Sequence, residues 1–245
     1  MNSSSPLDYR CLALTGTFET NLAPPDCFGC VAGDFDGQGM SYSALQWNLG
    51  QGTLQALIAD MNAAHPSVIQ AVFAADLPNL TAMLAMPRDQ QLTWARSIQT
   101  PRHSLVDPWA GYFRSLGRTP EFQAIATSHA AVLFAAALDL CRTYGLKSER
   151  AAALMFDIKV QNGGISPAVQ ALIQSDFAAL PAADADTTEV AKLRIVANRR
   201  ADTAAPAWRE DVRTRKLAIA NGAGAVHGRS FDLAGQFGIT LAAWS

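Results

Sequence analysis

The chain has 245 residues and a mass of 26.1 kDa; hydrophobic residues make up 49% of it and charged residues 16%. This composition supports a sizeable core and excludes intrinsic disorder, which needs low hydrophobicity and high net charge. The 19 basic and 21 acidic residues give a net charge of −2, so the basic excess typical of nucleic-acid-binding proteins is missing. At roughly 150 residues per domain, the length predicts one domain of two lobes over residues 1–245.

The first predicted element is an apolar helix whose last part, Leu12 to Thr20, carries Glu19 at its exit. The segment from Pro24 to Gly52 interrupts the helical pattern. It is rich in Gly, Pro, Asp and aromatic residues, which predicts turns and a small β-hairpin. A mostly helical chain with one such insertion near its start predicts two helical lobes with a cleft beside the hairpin.

Helices dominate the rest of the sequence. Apolar residues recur at helical spacing from Thr53 to Ala64, and Pro120 opens a long apolar helix that ends near Gly145. The apolar run Ala130 to Leu138 is about half of the ~20 residues that a membrane span needs, so we expect a buried core helix and no membrane span. Further helices are predicted over Ser148 to Asn162, Pro167 to Leu180, Asp186 to Arg200, with Asp186 and Glu189 as a capping box, and Pro206 to Asn221, stopped by glycines.

The candidate catalytic groups are the carboxylates near the insertion. Glu19 lies at the edge of an apolar helix, where a carboxylic acid keeps its proton more readily than in water, which suits a general acid. Asp34 and Asp36 follow in the glycine-rich turn 33–39. Two carboxylates in unlike environments across a cleft are what glycosidic bond cleavage requires. The alternative is that Glu19 is a surface charge at a helix end and that both aspartates are ordinary turn formers.

Neither a metal nor a cofactor is predicted. Asp34 and Asp36 fit the first positions of a calcium loop, but Leu45 stands where an EF-hand has its glutamate. Cys27 and Cys30 form a CxxC pair without a second pair for zinc. Core thiols are favoured for the four cysteines, with a local disulfide or a metal site as alternatives.

The run from Glu19 to Leu54 resembles the catalytic segment of the lysozyme superfamily. More narrowly, it is similar to inverting chitosanases and to the chitosanase-like muramidase domains of phage endolysins and type VI secretion effectors. In that pattern a Glu closes an N-terminal helix, and an Asp follows in a glycine-rich turn after a gap of about this size. A hydroxyl residue lies five positions further on, before a Gly-x-Gly that leads into a helix. The matching positions here are Glu19, Asp36, Ser41 and the stretch 50–52.

The resemblance implies a mainly α, lysozyme-like (α+β) fold and a role for each matching residue. Glu19 is implied as general acid, Asp36 as general base or charge stabiliser, and Ser41 as the holder of the attacking water. The sequence departs from the pattern at Phe35, where the chitosanase turn has Gly, and in the extra acid Asp34. Asp36 is favoured for the second role, and Asp34 is the alternative for it. With Asp36 in that role, Asp34 is a predicted substrate-binding residue.

Other predicted substrate contacts follow from the same resemblance. In such domains the hairpin forms one wall of the cleft, which makes Gln46 and Asn48 candidate contacts. The stretch 156–164 is similar to a helix end that lines the cleft, where Asp157, Gln161 and Asn162 would hydrogen-bond to sugar hydroxyl and N-acetyl groups. The alternative for this stretch is a plain helix C-cap, with Asn162 and Gly163 ending the helix.

The predicted reaction is hydrolysis of β-1,4 bonds in the glycan strands of peptidoglycan, as an N-acetylmuramidase. Carboxylates about 6.5–9.5 Å apart or more would make it inverting. A chitosanase acting on glucosamine polymers is the first alternative and would need an acidic cleft, to which Asp34, Asp36 and Asp157 could contribute. A non-catalytic, lysozyme-like module that binds a glycan or a protein partner is the second.

The N-terminus has no basic segment followed by an apolar one, so no Sec-type signal is predicted. The protein would then be made in the cytoplasm. Because peptidoglycan lies outside the cytoplasm, the protein would act in the periplasm or on a target cell wall. A phage lysis system or a type VI secretion apparatus would deliver it. An immunity protein is a further expected partner if the chain is an effector.

Overall fold

The protein was analysed as a computed structural model, which describes residues 5–244. It is mainly helical and divides into two compact units. The continuous unit is residues 19–129, and the discontinuous unit combines, within the described residues, 5–18 with 130–244. The mainly helical α+β fold predicted from the sequence is confirmed.

Twelve α-helices form within the described residues. They are α1 (Leu7–Thr20), α2 (Thr53–Ala64), α3 (Pro66–Phe73), α4 (Leu77–Leu84), α5 (Arg88–Ser97), α6 (Trp109–Gly117), α7 (Pro120–Tyr144), α8 (Glu149–Asn162), α9 (Pro167–Ala178), α10 (Ala185–Asp202), α11 (Arg209–Asn221) and α12 (Leu233–Phe237). Short 3₁₀ turns occur at Asp26–Gly29, Ala74–Asp76 and Pro206–Trp208. The prediction for α2 matches at both ends, while α3 to α6 were not predicted.

The predicted hairpin segment contains a three-stranded antiparallel sheet in the continuous unit. Its strands are β1 (Val31–Ala32), β2 (Ser41–Tyr42) and β3 (Trp47–Asn48), in the order β1-β2-β3. Tyr42 on the central strand is fully buried, and its hydroxyl donates a hydrogen bond of 2.7 Å to the Phe113 carbonyl. This contact anchors the sheet to α6.

The core of the discontinuous unit forms around two helices that are buried on nearly all sides. In α1, all residues from Arg10 to Phe18 are buried, and in α8 the same holds from Ala151 to Ile158. Burial on every side is typical of a helix at the centre of a core. The N-cap predicted for α8 is confirmed, since the Ser148 hydroxyl accepts a hydrogen bond from the Ala151 N–H.

Three expectations for this unit need correction. Asp184 rather than Asp186 caps α10, and Glu189 instead accepts hydrogen bonds from the backbone N–H groups of residues 147 and 148. Gly222 caps the end of α11 as predicted, but Gly224 lies in an unpredicted hairpin of β4 (Ala223–Val226) and β5 (Arg229–Asp232). The run 130–138 is only partly buried, because Val132 keeps 80% of its surface exposed.

By length and composition alone, Pro66–Leu84 and Pro120–Tyr144 are apolar enough to cross a membrane. The first of these consists of α3, a 3₁₀ turn and α4 rather than one helix. The four cysteines are free thiols, and all but Cys30 are buried. Residues 5–244 contain no cluster of three or more His, Cys, Asp or Glu side chains that could hold a metal ion.

Candidate active site

Glu19 is the penultimate residue of α1 and the point where burial along this helix ends. The nine residues before it are buried, whereas Glu19 is exposed. The apolar helix therefore delivers a carboxyl group to the surface at its C-terminal end, as the sequence predicts.

The turn 33–39 carries two aspartates with different roles. Asp34 has only 7% of its side chain exposed. Its carboxylate accepts hydrogen bonds from the Gly39 N–H at 2.8 Å and from Nε of Arg96 at 2.5 Å. Burial opposes ionisation of Asp34, but these donors outweigh it and hold the pKa of this carboxyl below its usual value. Asp34 therefore stabilises the turn, and little of its side chain is left for the predicted substrate contact.

Asp36 is exposed, and its Oδ1 accepts a hydrogen bond of 3.1 Å from the Gln38 N–H. Ser41 begins β2, is partly exposed and pairs across the sheet with Asn48. The turn and β2 thus place both predicted residues in the continuous unit, on a backbone that Asp34 and the sheet hold in shape.

The two amide residues of the hairpin contribute to its structure. Asn48 is 8% exposed, and its Oδ1 accepts a hydrogen bond of 2.8 Å from the Gln51 N–H. Gln46 adopts φ of 54° and donates from Nε2 to the Ser43 carbonyl at 2.7 Å. Gln46 keeps partial exposure, which a contact with a substrate requires, while Asn48 is nearly covered.

Asp157 lies in the discontinuous unit at the centre of a buried ionic cluster. Its carboxylate is 2.6 Å from a guanidinium nitrogen of Arg215 and 2.5 Å from Nζ of Lys216, and all three side chains are at most 2% exposed. The Thr15 hydroxyl donates a further hydrogen bond of 3.3 Å. A side chain with no exposed surface cannot contact a sugar, so the predicted substrate contact of Asp157 is corrected to a structural role.

The charges in this cluster depend on each other. Burial opposes ionisation of Asp157, but Arg215 and Lys216 prevail and lower its pKa to about 2. Burial also lowers the pKa of Lys216, against the attraction of Asp157. The Arg215 guanidinium additionally lies 5.0 Å from the centre of the Phe18 ring. These contacts fix the last buried turn of α1, immediately before Glu19.

The other two predicted residues of α8 differ in what surrounds them. Gln161 accepts a hydrogen bond of 2.6 Å from Lys216 and so extends the ionic cluster. Asn162 ends α8, as the C-cap alternative predicts, and borders a cavity of about 440 Å³ together with Ser166, Arg200 and Thr203. Its buried Oδ1 has no hydrogen-bond partner among the described residues. Asn162 is therefore partly exposed beside the cavity, but its amide oxygen is covered and does not face a ligand.

Sequence reasoning missed the residues that hold the turn. Gln99 accepts a hydrogen bond from the Asp34 N–H and donates one to the Gly39 carbonyl, both at 2.8 Å. Arg96 is the ionic partner of Asp34, 62 residues further along the chain. No local pattern marks these two residues, because the tertiary fold brings them to the turn, Arg96 on α5 and Gln99 just after it.

The described fold is mainly helical, with a small three-stranded antiparallel sheet in the segment that follows α1. Solved chitosanase structures match it over nearly their whole length. A Glu-to-Ala mutant of the chitosanase from Bacillus subtilis MY002, complexed with 6 GlcN, is 19% identical and has a TM-score of 0.52. The match covers 94% of this chain and 97% of that one.

Two further chitosanases show the same likeness. A GH46 chitosanase from Gynuella sunshinyii, in complex with chitotetraose, is 14% identical over 93% of this chain and 97% of its own, with a TM-score of 0.51. Chitosanase OU01, co-crystallised with substrate, is 17% identical over 91% and 94%, with a TM-score of 0.50. At these identities the likeness establishes the fold. No protein-family model matches the sequence, and no curated protein matches it.

Proposed function

We propose that this protein is a glycoside hydrolase that cleaves β-1,4 bonds in a polymer of amino sugars. The observation that carries the proposal is that the two aspartates of the turn 33–39 have different surroundings. Asp34 is occupied in holding the turn, which leaves Asp36 as an exposed carboxylate on a fixed backbone. Glu19 supplies the second exposed carboxyl group, at the end of a helix that is otherwise buried.

Each proposed role follows from the chemistry of acetal hydrolysis. Glu19 donates a proton to the glycosidic oxygen as the leaving sugar departs. Asp36 takes a proton from the attacking water, and the Ser41 hydroxyl, at the start of β2, orients that water. Attack by water on the face opposite the leaving group inverts the configuration at the anomeric carbon, so we expect an inverting enzyme.

The charges of the candidate aspartates favour peptidoglycan as the substrate, which the protein would cleave as an N-acetylmuramidase. A cationic glucosamine polymer is best bound by unpaired carboxylates. Of the three aspartates considered for this purpose, Asp34 pairs with Arg96, and Asp157 is buried with two cations. Only Asp36 remains exposed, which suits a glycan whose amino groups are acetylated.

Chitosan is the second candidate, and the fold comparison favours it. The structural neighbours are chitosanases, and two of them were solved with 6 GlcN or chitotetraose. Their shared architecture is as compatible with a glucosamine polymer as with the glycan strands of peptidoglycan.

The proposed substrate also determines where the protein would work. Peptidoglycan lies outside the cytoplasm, so we propose action in the periplasm or on a target cell wall. A phage lysis system or a secretion apparatus would deliver the enzyme. If it is a secreted effector, a cognate immunity protein would protect the producing cell.

The test is product analysis on purified sacculi and on chitosan, with the wild type and Glu19→Gln. Mass spectrometry should find muropeptides with reducing muramic acid ends, released by the wild type alone. Muropeptides with anhydro-muramic acid ends would contradict the role of Asp36 as a base that activates water. In that reaction the substrate's own hydroxyl, rather than a water molecule, attacks the anomeric carbon. Glucosamine oligomers from chitosan alone would establish the second candidate, and no product from either polymer would contradict the hydrolase proposal.

A further inference from the structure

Phe35 is a large apolar side chain at an unusual place, between the two aspartates of the turn. It is 71% exposed, although aromatic side chains normally bury most of their surface. Its neighbours Asp34 and Asp36 are the turn-holding carboxylate and the exposed carboxylate. The Phe35 ring is therefore not part of the hydrophobic core, and Phe35 directly precedes the proposed catalytic base in the sequence.

His103 flanks the exposed Phe35 ring. The two ring centres are 5.1 Å apart, and the ring planes meet at 51°. His103 adopts φ of 57°, within a tight loop closed by a 2.8 Å hydrogen bond from the Thr100 N–H to the Ser104 carbonyl. The loop thus presents the histidine as a fixed edge beside the phenylalanine.

The backbone that carries these two rings is held firmly in place. Gly33 packs so closely on the loop that a Cβ there would lie 2.2 Å from both Oε1 of Gln99 and the His103 carbonyl oxygen. Gln99 also bridges the two ends of the turn through Asp34 and Gly39. Little conformational entropy would be lost when a ligand covers a ring held in this way.

We propose that Phe35, with His103 at its edge, is a stacking platform for one pyranose ring of the glycan that Asp36 acts on. One face of a β-linked hexosamine is lined by C–H groups, and such an apolar face packs well on an exposed aromatic ring. The platform sets the position of one sugar relative to Asp36, so Phe35 is a binding residue rather than an acid or base. This inference rests on the proposed function, because it takes a glycan as the ligand.

The test measures binding separately from hydrolysis. Calorimetry with hexameric N-acetylglucosamine and glucosamine oligomers would use proteins that also carry Glu19→Gln, so that the ligand stays intact. Phe35→Ala should weaken binding about 5- to 10-fold, Phe35→Leu should recover only part of the loss, and Phe35→Tyr should restore it. Trp208→Ala is the matched control, because Trp208 is 66% exposed and belongs to the discontinuous unit.

A second readout comes from Phe35→Trp, whose fluorescence relative to the parent should change on binding of the oligomer. Unchanged affinity in Phe35→Ala, while the wild type hydrolyses glycan, would overturn the platform and leave the proposed function standing. A Phe35-dependent affinity without hydrolysis by the wild type would support the platform and overturn the hydrolase. No binding of either oligomer to the parent would overturn the platform.

Discussion

Replacement of Asp157 by Asn tests the buried ionic cluster most severely. The change removes the carboxylate that pairs with two buried cations, Arg215 and Lys216, and keeps the size of the side chain. Loss of one partner from a buried ion group typically costs about 3–5 kcal/mol, because the remaining charge is left buried and uncompensated. We therefore expect Asp157→Asn to lower the free energy of unfolding by about that amount.

The matched control is Asp176→Asn. Asp176 also accepts two hydrogen bonds from an arginine, Arg199, at 2.6 and 2.9 Å, but both side chains are about one-third exposed. Pairs of this kind typically contribute at most about 1 kcal/mol. Urea unfolding at neutral pH compares the two variants, and a loss in Asp157→Asn no larger than in Asp176→Asn would refute the reasoning.

The same cluster predicts a pH dependence with a defined sign. The pKa of Asp157 is about 2 in the folded protein against 3.8 for the ordinary side chain, so the unfolded chain binds the proton more readily. The stabilisation, about 2 kcal/mol at 1.36 kcal/mol per pKa unit, is fully present above pH 4 and is lost as the pH falls through 2. The stability difference between the wild type and Asp157→Asn should narrow over that interval, and a constant difference would count against the assigned charge state.

Two further predictions concern the turn and the thiols. Gly33→Ala should destabilise the protein by about 1–3 kcal/mol, because its Cβ would lie 2.2 Å from two oxygen atoms of the neighbouring loop. Gly111→Ala in α6 is the control and should not destabilise the protein, because the atom nearest to its Cβ would be 3.6 Å away. Equal melting temperatures for the two variants would argue against the close packing around Gly33. Burial raises the pKa of Cys141 to about 12, so a thiol reagent at pH 8 should modify the partly exposed Cys30 first. Modification of Cys141 in the folded protein would show that this thiol is not buried.

Local signals in the sequence suffice for several elements. Helical spacing of apolar residues predicts the bounds of α2, Pro120 opens α7, and Ser148 caps α8. The glycine-rich insertion predicts its sheet because turn residues enclose short runs with polar and aromatic residues. In these places local preference and tertiary packing agree.

Other elements depend on information that a local pattern lacks. The helices α3 to α6 are only 8 to 10 residues long, so each offers few turns in which periodicity can be seen. The β4–β5 hairpin that follows the helix-ending Gly222 was not predicted. Its turn residues, His227 and Gly228, both adopt positive φ, as a tight hairpin turn requires. The runs on either side of this turn contain few residues that favour strands, so the sequence carries little local signal for the hairpin.

The candidate site shows the same division. Glu19, Asp36 and Ser41 were predicted together from the resemblance to the lysozyme superfamily, and the structure places them at a helix end, in a turn and on a strand. The role of Asp157 could not be predicted, because its ionic partners lie 58 and 59 residues further along the chain. Burial, which decides between a sugar contact and a buried ion group, is a property of the folded chain.

The most direct test of the central claim is the rate of reducing-end release from sacculi and from chitosan by three single variants. Glu19→Gln and Asp36→Asn should each lower kcat by about 10²- to 10⁴-fold, as expected when a general acid or base is removed, with unfolding free energies near that of the wild type. Asp89→Asn, the same charge change at an exposed site on α5, should keep the wild-type rate. Hydrolysis at the wild-type rate by Glu19→Gln or by Asp36→Asn would contradict the account.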